Sequence, residues 1–287
     1  MFSAEWLALR EPADVAARSA ALARDIAGRL KSVAPVRALD LACGTGSNAR
    51  YLAEYIEGSQ HWLLLDHDRA LLDFVPERTG SWARARQAER VTDGEALRFV
   101  QQGRFDCAFT AQYADLRSLD AAIFAGRDLV TASALLDLVS DAWIQSLCEH
   151  CRVARATVMF ALSYDGRLEC TPREPADEHV RQLVNEHQRT DKGFGAALGP
   201  SAADYCASTL VDLGYLVRME RSDWLLGPNE SELQRQLIEG WARAAKALHP
   251  DDATLLDRWQ KTRLEHVDRR RSQLLVGHQD LSGWLDG

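Results

Sequence analysis

The stretch LDLACGTGSNARYLA, residues 39–53, runs from an apolar segment through a pair of glycines into a helical pattern. Val36 to Ala42 has the length and apolar character of a buried strand. Gly44 and Gly46 let the backbone turn sharply and approach a ligand where a Cβ would collide. Ala49, Leu52, Ala53 and Ile56 then share one side of a helix, whose free N–H groups and positive dipole end face the turn. Asp66 ends the next apolar run, His61 to Leu65, twenty residues after Gly46. That placement suits a carboxylate accepting two hydrogen bonds from a ribose diol.

The same alternation continues outward. A helix around Leu71 and Leu72 follows Asp66. Strand candidates lie at 105–109 or the stretch ending at Asp115-Leu116, then at 128–132 and 156–162, with helices at about 119–124 and around Trp143, Ile144, Leu147 and Cys148. Strand, helix, strand, helix predicts an α/β fold, a doubly wound and mostly parallel sheet of Rossmann-like form. Ahead of it, residues 12–30 read as one amphipathic helix. Beyond it, Ser201–Leu213 reads as helix and Tyr215–Met219 as strand. Residues 230–248 and 253–276 read as two long helices. The polar segment 163–200, with three prolines and the concentrated run NEHQRTDKGFG, reads as an insertion or lid. The expected organisation is therefore an N-terminal helical segment (1–32), an α/β domain (33–227) carrying that insertion, and a C-terminal helical extension (228–287).

Composition narrows the partners. The 287 residues hold 34 Lys and Arg against 42 Asp and Glu, a net charge of -8, with 46% hydrophobic and 26% charged residues. These are ordinary globular proportions, which exclude disorder and collagen-like repeats. The negative charge argues against sequence-independent nucleic-acid binding. Six cysteines, mostly inside apolar stretches, do not make a disulfide scaffold. A charged N-terminus without a basic start and apolar run, and the lack of a membrane-length apolar segment, lead to a cytoplasmic expectation.

GTGSNA also satisfies the dinucleotide pattern G-x-G-x-x-G/A, so the nucleoside has to be chosen on charge. Asp40 at the head of the turn suits a positively charged ligand, whereas it would repel a pyrophosphate. The spacing Asp40, Ala42, Gly44, Gly46 resembles the first motif of class I S-adenosylmethionine-dependent methyltransferases, with alanine where the family's first glycine stands. Leu65-Asp66-His67-Asp68 is similar to the second motif, Ala114-Asp115-Leu116 to the third, and residues 128–140, DLVTASALLDLVS, to the fourth. The resemblance covers roughly residues 36–165. It implies S-adenosylmethionine as cofactor, S-adenosylhomocysteine as product, and a site drawn from Asp40, Ala42, Gly44, Thr45, Gly46, Asn48, Asp66, His67, Asp115, Leu116 and Ser133. Asp115 equally suits a helix N-cap, as Thr45 and Asn48 suit the turn and first helical positions.

The ligand's α-carboxylate would call for an arginine, which can grip it with two parallel hydrogen bonds. Arg18 is preferred to Arg10 on helical position, although a solvated arginine is the simpler reading of either. Methyl transfer depends mainly on positioning, sometimes with a base for the acceptor's proton. Asp137 and His187 are the candidates for that base, with Tyr164, Asp165, Arg189, Asp191 and Lys192 nearby in sequence. Gly193-Phe194-Gly195 suits a lid hinge. Cys148-Glu149-His150-Cys151 lacks the second ligand pair of a zinc site, so no metal is expected. Arg269-Arg270-Arg271 reads as a solvated face, and Trp241, Trp259 and Trp284 as packing residues or a dimer surface. The expected function is methyl transfer to a small-molecule acceptor, by a protein without nucleic-acid or membrane partners and with a homodimer in prospect. The rivals are an NAD(P)-dependent oxidoreductase and a non-catalytic methyltransferase-like subunit bound to a protein partner. A protein-modifying methyltransferase is a further variant.

Overall fold

A computed structural model describes residues 3–93 and 96–286. Met1, Phe2 and Gly287, at the ends of the expected terminal segments, lie outside the described residues. The sheet has ten strands: β1 (Val36–Leu41), β2 (Gly58–Asp66), β3 (Glu89–Asp93), β4 (Ala96–Gln101), β5 (Phe105–Tyr113), β6 (Leu129–Ser133), β7 (Thr157–Thr171), β8 (Leu216–Arg221), β9 (Trp224–Leu226) and β10 (Gln273–Trp284). Their order is β3-β4-β5-β2-β1-β6-β7-β10-β8, with β9 also on β10. The centre, β5-β2-β1-β6-β7, is parallel, and β4 and β10 join its two sides antiparallel. From β1 the chain proceeds to β2 on one side and later returns to β6 on the other. The carboxyl end of β1 is thus the topological switch point, where such sheets bind ligands.

Helices cover both faces, which explains why β1 is a nearly continuous apolar run. On one face, Leu22 and Ile26 of α2 (Ala20–Leu30), Leu52 of α3 (Ser47–Ala53) and Trp82 of α5 (Val75–Ala85; α4 is Arg69–Leu72) meet Trp62 and Phe109. On the other, Phe124 of α6 (Ala121–Phe124), Ile144, Leu147 and Cys148 of α7 (Asp141–Ala154) and later Leu210 cover Leu39, Val130 and Phe160. A third core joins the far end of β7 to α8 (Asp177–Gln188), α10 (Ser231–Leu248) and α11 (Ala253–Asp268), where Trp241 and Trp259 are buried. Between α8 and α10, α9 (Ala202–Asp212) carries Leu210.

Three expectations need correction, and one part of the sheet was not expected. The leading helix is two: α1 (Ala4–Ala17) runs through Pro12, and the backbone extends at Arg18 before Ser19 caps α2 by accepting the Leu22 N–H. The helix read over 253–276 ends at Asp268, and 273–284 is a strand inside the sheet, so the 228–287 extension is not wholly helical. The insertion 163–200 opens as the continuation of β7, paired with β10, and closes through α8. The ribbon β3–β4 also belongs to the sheet, unforeseen because Glu89–Asp93 is a charged edge strand.

Candidate functional site

The residues flagged around the glycine turn converge at the carboxyl ends of β1, β2 and β6. Gly44 and Gly46 have φ of +55° and +82°, and Ala42 has +52°, the left-handed region that favours glycine. Ala134 after β6 and Leu162 within β7 share that conformation, at +53° and +54°. Three non-glycine residues in a costly backbone state therefore ring one end of adjacent strands, the kind of concentration found at functional sites.

Asp66 is buried. Its carboxylate accepts the Gly44 N–H at 2.8 Å and the Asp68 N–H at 2.8 Å, tying the turn to the end of β2. His67 is exposed, with Nδ1 3.3 Å from the same carboxylate. The Ala114 N–H bonds to the Asp66 carbonyl at 2.9 Å, which brings the third motif beside the second. Asp115 itself points outward. The Arg117 guanidinium and N–H hold it, drawing its carboxyl down to about 2. Leu116 is buried with Phe124, and its carbonyl accepts the Trp143 indole N–H at 2.7 Å. Ser133 is half-buried where β6 ends.

Asp40 is fully buried. Asn48 donates to its Oδ1 at 2.5 Å and to the Thr131 hydroxyl at 3.1 Å, while Asp40 Oδ2 and Asn48 Oδ1 have no partner among the described residues. Burial pushes the Asp40 carboxyl up to about 7, against the pull of Asn48 and of the Arg18 charge. Arg18 is not solvated. Only 6% exposed, it lies over the Tyr51 ring at 4.1 Å, and its Nε and Nη2 are likewise unpartnered. Burial lowers its pKa, opposed by Asp280, Tyr51, Asp40 and Asp14. A buried polar atom without a partner costs about 1–3 kcal/mol, so the orphaned acceptors and donors mark places for ligand groups.

Thr45 is buried in the turn. Its carbonyl accepts Arg50 Nη1 at 2.6 Å, and Arg50 Nη2 reaches Glu11 of α1 at 2.7 Å. A Cβ on Gly44 would stand 2.8 Å from Leu7 Cδ1, so α1 lies directly over the turn.

The acceptor-side candidates meet one layer further on. Asp137 sits in a buried single turn (Leu136–Leu138). Gln188 Nε2 donates to its carboxylate at 3.3 Å, and the backbone at Asp137 and Tyr164 favours its charged form. Burial pushes its carboxyl up to about 6, with Arg10 and Lys192 opposing. His187 is half-buried, with Lys192 Nζ 3.4 Å from its Nδ1. Burial and that cation lower its pKa. Arg10 pairs with Asp14 and lies over Trp224 rather than at the turn. Asp165 and Asp223 bind Arg167, and Asp191 accepts the N–H groups of Gly193 and Gly195.

Two residues of β10 were missed. Asp280 is fully buried. It accepts the Ser19 N–H at 2.9 Å and the Leu162 N–H at 2.8 Å, so it fixes the bend that presents Arg18. His278, opposite Tyr164, is buried between Tyr164 and Trp224 and pushed down to about 3, chiefly by burial. Burial in β10 runs unbroken from Val276 to His278 and from Asp280 to Trp284, so no period-two pattern marked these two residues. Elsewhere, Cys148 and Cys151 are buried within α7, and no metal-holding group of His, Cys, Asp or Glu exists among the described residues. Among them, no helix is long and apolar enough to cross a membrane.

A doubly wound sheet with a glycine turn at its switch point and an acid at the end of the neighbouring strand defines a nucleoside-binding α/β protein. Residues 38–126, which hold the first three motifs, match the family model described as a methyltransferase domain. The match spans less than half of the chain and marks a methyltransferase domain within it. No curated protein matches the sequence. Similar solved structures include the cyclopropane synthase MmaA2 from Mycobacterium tuberculosis, 10% identical with TM-score 0.49, covering 99% of this chain and 94% of that one. Another is an S-adenosylmethionine-dependent methyltransferase from Geobacter sulfurreducens in complex with S-adenosylhomocysteine, 12% identical, TM-score 0.47, covering 99% of both chains. The YjhP protein of E. coli is 13% identical, TM-score 0.46, covering 98% and 99%. Likeness of this degree leaves acceptor and chemistry to the residues themselves.

Proposed function

We propose that the protein transfers a methyl group from S-adenosylmethionine to a small-molecule acceptor. The observation that carries this is the set of unpartnered buried atoms, Asp40 Oδ2 and Asn48 Oδ1 as acceptors and Arg18 Nε and Nη2 as donors, on groups whose charges feel one another. An α-ammonium group with its α-carboxylate complements that set. A pyrophosphate would satisfy the arginine and be repelled by Asp40. In this reading Asp66 takes the ribose hydroxyls, with His67 beside it. Leu116 and Asp115 flank the adenine, and Ala42, Gly44, Thr45 and Gly46 give the backbone close approach. Ser133 stands near the methyl group.

The cofactor supplies an electrophilic methyl on a sulfonium; the chain supplies position and a place for the acceptor's proton. Asp137 suits that second task, because a carboxyl raised to about 6 takes a proton more readily than an ordinary aspartate. His187, neutral beside Lys192, is the alternative base. The cover over the site supports a small acceptor: α1 lays Leu7 on the turn, while Trp6, Leu9 and Ala13 pack toward the core around Trp224. Titration calorimetry with S-adenosylhomocysteine and NAD tests the proposal. We expect binding of the first only, lost by about a hundredfold in Asp66→Ala, the loss of two ribose hydrogen bonds to a charged acceptor. Binding of NAD alone would refute it.

A further inference from the structure

We propose that the groove between α1, α2, α3 and α5 is a binding site for a phosphoryl-bearing anion, separate from the glycine turn. The groove is a cavity of about 380 Å³, the size of a small-molecule site. Arg24, Arg50, Arg86 and Arg104 line it, with Glu11 and Glu54 as the opposing carboxylates. A surplus of arginine here is against the trend of a chain with net charge -8. The four come from α2, α3, the end of α5 and the turn between β4 and β5, so they surround the space from several directions. That disposition fits a tetrahedral group with three acceptor oxygens better than a planar carboxylate.

Two of the arginines are committed and two are free. Arg50 is held by the Thr45 carbonyl and Glu11, and Arg86 by Glu54 and the Trp82 carbonyl, although the buried Arg86 Nε has no partner. Arg24 and Arg104 are exposed and pair with no carboxylate among the described residues. Tyr55 donates its hydroxyl hydrogen to Tyr51 at 3.3 Å on the same wall, which leaves the Tyr51 hydroxyl to donate to a ligand. An anion placed here competes with Glu11 for Arg50.

That competition gives the test two opposite signs. In titration calorimetry at constant ionic strength, with pyrophosphate as the probe and citrate as the carboxylate control, the full chain binds pyrophosphate at one site. The double variant Arg24→Ala/Arg104→Ala weakens binding about tenfold, while Glu11→Gln tightens it several-fold, because the competing carboxylate is gone. Both changes surround an exposed or half-exposed side chain, so the fold is retained and checked by circular dichroism. Absence of pyrophosphate binding, equal binding in the double variant, or a preference for citrate overturns the proposal. S-adenosylhomocysteine affinity of the Arg24→Ala/Arg104→Ala variant, measured alongside, decides the glycine-turn site apart from this one, since Arg50 and not these two is bonded to the turn.

Discussion

Two of the buried arginines are held under opposite terms. Arg263 of α11 is wholly inaccessible and saturated: Asp177 takes its Nε and Nη2, and the Pro172 carbonyl its Nη1 at 2.6 Å. Trp259 bonds to the same aspartate, and Glu174 and His266 extend the network. Arg18 is almost as deep, yet two of its nitrogens meet nothing. A buried charge whose donors are all used is part of the scaffold. A buried charge left short is a place kept for a ligand, and its cost is borne by the free protein.

The largest effect that would break this contrast is on stability. Arg263→Leu leaves Asp177 without its main partner and should lower the unfolding free energy by about 3 kcal/mol, read by urea denaturation, with cofactor affinity nearly unchanged. Arg18→Met keeps the length and the contact with Tyr51 but removes the charge. Cofactor affinity should fall ten- to a hundredfold by calorimetry, as expected for one charge-assisted pair of hydrogen bonds, while unfolding stability holds or rises. If Arg18→Met is as destabilising as Arg263→Leu, the two arginines do the same job and the contrast fails.

Asp40 sharpens the same point through pH. Its carboxyl is raised to about 7 in the fold and stands near 4 in the unfolded chain, so the folded state binds the extra proton. Stability of the free protein should therefore decline as pH climbs from about 4 to 7. Asp137, raised to about 6, acts in the same direction. Asp40→Asn should flatten the upper part of that decline, and a pH series of denaturation curves shows it. Cofactor affinity should rise toward pH 7 as Asp40 ionises. The smallest effect belongs to His187→Ala: cofactor affinity unchanged and turnover several-fold slower.

The half of the molecule built by local rules was readable in the residues. Strand, glycine turn and helix succeed one another within 39–53, and Asp66 follows at fixed distance, so β1, α3 and β2 announce themselves through short-range pattern. The other half depends on pairing between distant segments. β10 looks like a helix continuation until β7 and β8 are placed on its two sides. Asp280 therefore had no signal of its own, and the burial of Arg18 depends on a bend that only Asp280 and Glu220, which accepts the Ser19 hydroxyl, explain. Asp137 was found as a residue near a strand end, but its raised carboxyl comes from burial that the sequence pattern does not show.

The bond from the Ser19 N–H to Asp280 spans 261 positions along the chain. Closing so long a loop is entropically late, and contacts of that separation form slowly. Arg18 thus has no fixed seat until the sheet has accepted β10, and a nascent or partly folded chain would show the turn but not the grip. Cofactor capture then reports completion of the fold, so the protein becomes competent only as a finished object.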